Sequence, residues 1–328
     1  MAGIQGRTKR WQRILPWIVS ISALVYVFGY ATDWGRLVEA TRQANLPLFV
    51  LVTSLDKLVF FFVWAWLQAE ALNRLVTPVP RRTVLSIRAG SELFRAISNP
   101  LADAAFLLGI SRLTGGRLDA VVTVALVPFV THLIILLLQL SVTLPFLPGG
   151  IEGNEIVVTA AIVGWAVMGA IVLGLRFAPA GRMPGVARAL AWLERVSIRQ
   201  LMPFLVWFAF LAVFDVVIQG VATRTFGTPI PWITLAGRVP LLYLALAIPS
   251  VGNFGVREFT WAELYADFGD RDALIAYAFA TNAIFLAWNV LIGVFFLRRA
   301  IALVTEVRRT RKSGEPVPEP MLHDALDG

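Results

Sequence analysis

Long runs of apolar residues alternate with short polar segments along the 328 residues of this chain. An α-helix needs about 20 apolar residues to cross the roughly 30 Å hydrocarbon layer of a membrane. Runs that approach this length lie at about residues 14–31, 47–70, 119–144, 155–177, 201–223 and 273–297. The pattern predicts an all-α, polytopic membrane protein with about six transmembrane helices, in which residues 1–312 form one integral domain.

Two further apolar segments are interrupted by charged residues, prolines and glycines. They cover residues 83–112 and 228–268, and each lies between two predicted spans. Hydrocarbon cannot hydrogen-bond the backbone groups that a broken helix leaves free, so such a segment persists at membrane depth only where protein covers it or where it lines a wet cavity. We therefore expect two re-entrant, broken-helix hairpins in an inverted-repeat arrangement. In many secondary transporters this architecture places the substrate site near the bilayer midplane.

The composition agrees with a membrane protein, because 58% of the residues are hydrophobic and only 15% are charged. A net charge of +8 could indicate a nucleic-acid partner, but the arginine and lysine residues are concentrated in alternate loops. This asymmetry follows the positive-inside rule and predicts that these loops, with both termini, lie on the cytoplasmic side of the cytoplasmic (inner) membrane. We therefore expect membrane lipids as partners, and no nucleic acid.

Several kinds of site are excluded by residues that the chain lacks. It has no cysteine and only two histidines, which excludes disulfides, thiolate metal sites and a histidine-based metal centre. No metal or other cofactor is expected. Residues 313–328 are rich in proline and glutamate, and this composition predicts a disordered cytoplasmic tail.

The second interrupted segment carries the string Pro-Ser-Val-Gly-Asn-Phe-Gly-Val-Arg-Glu at residues 249–258, followed by an apolar stretch that ends near Gly269. This string resembles the signature of the lysylphosphatidylglycerol synthase transmembrane-region family, the flippase-like integral membrane proteins. The family's usual Gly-Gly is Gly-Asn here, at residues 252 and 253. The resemblance implies a protein that moves lipids between leaflets, without the soluble aminoacyl-transferase domain and without covalent chemistry of its own.

The resemblance and the residue chemistry together indicate where a lipid headgroup would bind. A guanidinium group matches phosphate oxygens bidentately, so Arg257 is the first candidate contact, with Glu258 orienting it or balancing its charge. The predicted substrate-binding residues are Arg238, Asn253, Arg257 and Glu258 in the second segment, with Arg88, Asn99 and Asp103 in the first. The alternative is that Arg257 and Glu258 pair with Arg238, with Glu92 or with helix ends and hold the hairpin closed.

A second group of polar residues lies inside the predicted spans, namely Asp56, Lys57, His132, Asp215 and Asn282. A charge at the bilayer centre costs at least about 2.5 to 3.5 kcal/mol, so such residues are functional candidates. They are expected to line a headgroup cavity or to form a proton or ion relay. The structural alternative is a buried pair between Lys57 and Asp215. His132 shares a helix face with Gln139, and Asn282 shares one with Asn289. For these residues, hydrogen bonding between helices is the simpler interpretation.

Three functions are compatible with these observations. The leading hypothesis is a lipid translocase that moves the headgroup of an anionic phospholipid or of an isoprenoid-linked, polyprenyl-type lipid. The second is an enzyme of lipid or lipid-linked glycan biosynthesis. The third is an accessory membrane subunit that docks a lipid-synthesis enzyme on a basic interfacial helix, predicted at residues 183–199.

Overall fold

The structure, a computed structural model, describes residues 34–150, 153–177, 196–246 and 253–296. Their regular secondary structure is helical throughout, without a strand, as the hydrophobic pattern predicts. The span predicted at residues 14–31 and the tail at 313–328 lie outside the described residues. So does most of the element predicted at 183–199, whose last residues belong to a long helix that begins at Ile198.

The described residues form ten α-helices. Their bounds are α1 Trp34–Gln43, α2 Leu46–Leu75, α3 Arg81–Arg95, α4 Asn99–Leu113, α5 Leu118–Thr143, α6 Glu155–Phe177, α7 Ile198–Thr225, α8 Trp232–Ala245, α9 Val256–Leu264 and α10 Arg271–Phe295. Short 3-10 turns follow α5 and α9, at Leu144–Phe146 and Ala266–Phe268.

Four of these helices, α2, α5, α7 and α10, are long and apolar enough to cross a membrane. They coincide with the segments predicted as spans at 47–70, 119–144, 201–223 and 273–297. Helix α6 covers the predicted span at 155–177. Large apolar side chains such as Leu51, Val213 and Leu291 are exposed on the outer surfaces of the long helices. Such surfaces are favourable in lipid and unfavourable in water, as expected of a membrane protein.

Helices α2 and α7 pack side by side in opposite directions. At one end the Asn45 amide, which precedes α2, donates to the Thr225 carbonyl at the end of α7 over 3.0 Å. Further along, the Trp66 and Trp207 rings meet at 5.2 Å between centroids. Asp56 and Asp215 each lie about ten residues from the Asn45–Thr225 contact. With a rise of about 1.5 Å per residue, both are about 15 Å from that end and therefore at the same level.

The first interrupted segment forms a pair of antiparallel short helices, α3 and α4. Helix α3 begins beside the end of α2, where Arg81 contacts Glu70 at 2.9 Å. It runs back along α2 until Glu92 meets Lys57 at 3.0 Å, far inside the long helix. Gly293 of α10 allows α3 to approach closely, because a Cβ atom there would lie 2.7 Å from the Leu93 backbone nitrogen.

The second interrupted segment forms the helix pair α8 and α9. Helix α8 begins beside the end of α7, where the Arg224 guanidinium lies 4.2 Å from the Trp232 ring centroid. It runs back along α7 until the Tyr243 hydroxyl reaches Asp215 at 3.0 Å. Gly220 makes this packing possible, because a Cβ atom there would lie 2.0 Å from the Trp232 ring. The short helices agree closely with the segments predicted at 83–112 and 228–268.

Labelling of single cysteines tests which ends of the bundle face opposite sides of the membrane. Arg82 and Glu155 are exposed, at the starts of α3 and α6, and the long helix α5 separates them along the chain. We expect a membrane-impermeant maleimide to label Arg82→Cys only from the cytoplasmic side and Glu155→Cys only from the opposite side. The cysteine-free wild-type chain is the background control. Labelling of both positions from one side contradicts this topology.

Candidate functional site

A cavity of about 510 Å³ lies between the two helix pairs and the long helices. Charged side chains from four helices line it: Asp56, Lys57, Arg88, Glu92, Arg95, Asp103 and Arg257. The polar residues Asn99, His132, Asn253 and Asn282 line it too. The structure therefore brings together nine of the twelve predicted site residues. The other three, Arg238, Asp215 and Glu258, do not line the cavity.

Glu92 is the centre of an ion-pair cluster on the α3 side of the cavity. Its carboxylate meets Lys57 at 3.0 Å, Arg95 at 2.9 Å and Arg88 at 3.4 Å. Asp103 on α4 then bridges the two arginines, at 3.2 Å from Arg88 and 2.7 Å from Arg95. Three cations face two carboxylates, so this cluster, which we call the Glu92 cluster, carries one excess positive charge.

The Glu92 cluster corrects one interpretation and adds two site residues. Lys57 is bound to Glu92, and the alternative pairing of Lys57 with Asp215 is wrong. Glu92 and Arg95 were not among the predicted site residues. The sequence spacing could have identified them, because Arg88, Glu92 and Arg95 lie at i, i+4 and i+7 and therefore on one helix face.

The tips of the two helix pairs meet at a pair of asparagines. The Asn99 amide, at the start of α4, donates to the Asn253 side-chain oxygen over 3.0 Å. Asn253 precedes α9 and has a positive φ of 63°, a conformation that asparagine tolerates better than most residues. Asn282 of α10 donates to the Asn253 carbonyl at 3.3 Å. These bonds join the tip of the first pair to the second pair and to a long helix.

Glu258 holds the turn that leads into α9. Its carboxylate accepts hydrogen bonds from the Gly255 amide at 2.7 Å and from Asn282 at 3.0 Å, and the residue is fully buried. Gly255 has a φ of 82°, which strongly favours glycine. Glu258 thus caps a helix, and no hydrogen bond joins it to the neighbouring Arg257 in the described part of the chain.

Arg257 is the unusual charge of the site. The residue is only 5% exposed, it lines the cavity, and its Nε atom has no hydrogen-bond partner among the described residues. Its guanidinium lies 5.1 Å from the centroid of the Phe285 ring. No carboxylate of the described chain forms an ion pair with it. The site therefore holds a buried cation whose planar donors are free to bind an anion.

Arg238, predicted as a substrate contact, does not line the cavity and binds other parts of the chain. Its guanidinium donates to the Leu264 carbonyl at 2.5 Å and lies 5.4 Å from the Phe268 ring centroid. A longer contact of 3.5 Å reaches the Asn154 side chain. These bonds tie α8 to the end of α9, at a distance from the cavity lining.

Asp215 is buried behind the cavity in a chain of hydrogen bonds. One carboxylate oxygen accepts from Gln219 at 3.1 Å and the other accepts from the Tyr243 hydroxyl at 3.0 Å. The Tyr277 hydroxyl in turn donates to Gln219. Sequence reasoning missed Tyr243, since a tyrosine in an apolar segment gives no signal of its own.

His132 lies among aromatic rings on the α5 side of the cavity. The Trp64, Phe208 and Tyr243 ring centroids are 5.0 to 5.6 Å from the imidazole centroid. Gln139 lies on the same face of α5, seven residues after His132, and its side chain donates to the Ala236 carbonyl at 2.8 Å. The predicted hydrogen bond between helices is therefore confirmed for Gln139, whereas His132 packs mainly through its ring.

Comparison of the chain with protein-family models, with curated proteins and with solved structures finds no match. We therefore infer the function from the geometry of the cavity and from the chemistry of the residues that line it.

Substitutions at Glu92 and Lys57 test the Glu92 cluster. Glu92→Gln leaves three neighbouring cations with only Asp103, so it should lower the free energy of unfolding by about 3 to 5 kcal/mol. Lys57→Met should cost less, because Glu92 keeps both arginines. The double variant should be more stable than Glu92→Gln alone, since one of the unpaired cations is gone. Denaturation in mixed detergent micelles, followed by tryptophan fluorescence, gives these free energies.

The matched control combines Lys57→Met with Asp215→Asn. Because Lys57 and Asp215 form no ion pair, their effects on the free energy of unfolding should add to within about 0.5 kcal/mol. A large coupling between Lys57 and Asp215, with none between Lys57 and Glu92, contradicts the observed pairing.

Proposed function

We propose that this protein is a lipid translocase of the cytoplasmic membrane and a member of the lysylphosphatidylglycerol synthase transmembrane-region family. In this proposal it moves the phosphate-bearing headgroup of a phospholipid or an isoprenoid-linked lipid between leaflets and performs no covalent chemistry itself. The basic loops face the cytoplasm. The observation that carries the proposal is Arg257, a buried guanidinium that faces the cavity without an ion-pair partner in the described chain.

Arg257 forms no direct ion pair among the described residues, and a ligand that supplies the opposite charge would stabilise a buried cation of this kind. The guanidinium presents a fork of donors that matches two oxygens of a phosphate, and a charge-assisted bond of this kind strengthens where water is excluded. The Glu92 cluster, which lines the same cavity, adds an excess positive charge. A phosphate between Arg257 and this cluster would satisfy both, whereas a cationic ligand would be repelled by both.

The volume of the cavity fits a headgroup rather than a whole lipid. At about 510 Å³ it is in the middle of the range for small-molecule sites. Its lining also includes apolar side chains such as Phe60, Phe61, Phe129 and Leu136. In the proposed mechanism, the phosphate follows the polar wall and the acyl chains remain in the bilayer.

Equivalent contacts between helices support an inverted repeat of α2–α5 and α7–α10. The packing of α3 on α10 has its counterpart in the packing of α8 on α5, and the packing of α4 on α5 has its counterpart in that of α9 on α10. Helices α2 and α7, which begin the two repeats, run in opposite directions. This supports two re-entrant hairpins that start from opposite faces of the membrane.

The meeting of the hairpin tips supports a path that alternates between the two faces. Asn99 and Asn253 occupy equivalent tips of the two proposed repeats, and their hydrogen bond lies at the cavity wall. Symmetry of this kind provides two similar conformations, one open to each leaflet, with the site near the midplane.

Reconstitution into liposomes tests the proposed function. The vesicles carry acyl-labelled phosphatidylglycerol or a labelled polyprenyl phosphate, and a membrane-impermeant quencher reports the leaflet that each lipid occupies. We expect the protein to accelerate exchange between leaflets for at least one of the two reporters, relative to empty vesicles. The absence of any acceleration for both reporters contradicts the proposal.

Substitution of Arg257 separates a substrate contact from a structural role. Arg257→Lys keeps the charge but loses the planar fork, so lipid movement should fall by about tenfold or more, corresponding to about 1.4 kcal/mol. Arg257→Ala should abolish movement. Both variants should fold in normal amounts, because Arg257 makes no ion pair in the described chain.

Arg238→Lys and Arg238→Ala are the matched controls. Because Arg238 binds the Leu264 carbonyl outside the cavity, these variants should lose stability and activity in parallel. Wild-type lipid movement by a well-folded Arg257→Ala protein removes Arg257 from the mechanism.

A further inference from the structure

Two aspartates are buried in the interface between α2 and α7. Asp56 is 4% exposed and Asp215 is 1% exposed. The antiparallel packing sets both at about the same distance from the Asn45–Thr225 contact, about 15 Å along the helix axes. The structure therefore holds two carboxylates at one level in a region from which water is largely excluded.

The two aspartates differ in how their oxygens are satisfied. Asp215 accepts a hydrogen bond on each oxygen, from Gln219 and from Tyr243. Asp56 lines the cavity, and its buried Oδ1 has no hydrogen-bond partner among the described residues. A buried oxygen without a donor is costly if the carboxylate is charged, and protonation removes that cost. Asp56 is thus the member of the pair suited to bind a proton.

The other charged and titratable groups around Asp56 come from every neighbouring helix. Lys57 points into the Glu92 cluster and is neutralised there. The remaining groups that face Asp56 or share its cavity are Asp215 on α7, Arg257 on α9, Tyr243 on α8, Tyr277 on α10, His132 on α5, Asp103 on α4 and, on α3, Arg88, Glu92 and Arg95. Of the cations in this set, Arg257 alone lacks an ion-pair partner within the described residues.

We propose that Asp56 is a proton-binding site, and that uptake of a proton there is coupled to binding of the lipid phosphate at Arg257. The coupling, though not the proton site, depends on the proposed function. While the cavity is empty, Arg257 offsets the negative charge of the aspartate pair. When a phosphate binds Arg257, that compensation is lost, and two adjacent carboxylates in a low-dielectric site cannot both stay charged. A proton from water then binds Asp56, and it leaves when the phosphate leaves.

A metal cation is a poorer occupant of this site than a proton. Hard cations need several oxygen ligands at once. Both oxygens of Asp215 already accept hydrogen bonds from Gln219 and Tyr243, so Asp56 would have to supply most of the coordination. A proton needs only one carboxylate oxygen.

A pH gradient across reconstituted vesicles tests the coupling. The outer pH is held constant while the inner pH is either equal to it or different by one unit, with labelled phosphatidylglycerol and labelled polyprenyl phosphate as reporters. If one proton moves with each lipid, the steady-state ratio between leaflets should shift by up to about tenfold per pH unit. A sodium gradient at equal pH should leave the ratio unchanged, and a sodium-driven shift overturns the proton assignment.

Variants assign the proton to Asp56. Asp56→Asn should lose the response to the pH gradient, so that the leaflet ratio stays at its value without a gradient. Glu155→Gln, which removes an exposed carboxylate at the start of α6, should respond like the wild type. An Asp56→Asn protein that still follows the pH gradient contradicts the proposal.

Infrared spectroscopy of the purified protein gives a second readout that needs no lipid movement. On addition of inorganic phosphate at constant pH, the carbonyl stretch of a buried protonated carboxyl should appear in the wild type and in Glu155→Gln and should be absent from Asp56→Asn. If the wild type moves neither reporter in any vesicle, the proposed function fails, and the infrared band still decides the proton site. If lipid moves without responding to pH and the band persists in Asp56→Asn, the proton inference alone fails.

Discussion

Charge pairing in a region without water is the constraint on which this structure depends. A carboxylate or an ammonium group inside the bundle has no solvent to stabilise it, so protein must supply its partners. Glu92 meets that requirement for Lys57 and for two arginines at once. Because Lys57 lies deep within α2, its ion pair also fixes how far α3 extends along α2 before the chain turns back at Asn99.

In the second helix pair, the buried carboxylate near the tip is stabilised in a different way. Glu258 accepts from the Gly255 amide and from Asn282, so its charge is held by dipoles rather than by a cation. That arrangement leaves Arg257 without the carboxylate that its neighbour could have provided. The two helix pairs therefore differ in how their charged side chains are paired. The first is closed by ion pairs, and the second presents a cation to the cavity.

Much of this architecture is predictable from sequence because it follows from composition over long windows. The long helices follow from apolar length, and the interrupted segments follow from proline, glycine and charge within apolar runs. The side-chain partners were harder to predict, since they depend on the depth that each short helix reaches. Whether Lys57 meets Glu92 or Asp215 is decided by the position of α3 along α2, and the hydrophobic pattern does not encode that position.

The roles of the arginines show the same limit. Arg238 and Arg257 look equivalent in sequence, since both lie in an apolar segment near glycine and proline. In the structure Arg238 binds a backbone carbonyl, whereas Arg257 faces the cavity. Arg238 lies on α8 and Arg257 lies on α9. Because these are two separate helices, the two side chains point to different surroundings.

The charges around the cavity form a linked set rather than separate contacts. The Glu92 cluster has one more cation than carboxylates, whereas Arg257 forms no ion pair in the described part of the chain and interacts at longer range with the aspartates of the α2–α7 interface. In a low-dielectric site, adding an anion at Arg257 therefore changes the free energy of every remaining charge, and most strongly that of the least satisfied one. Asp56 is that group, because it lacks a hydrogen bond on Oδ1. In the proposed mechanism, binding of a phosphate at Arg257 and protonation of Asp56 are thus two parts of one electrostatic balance.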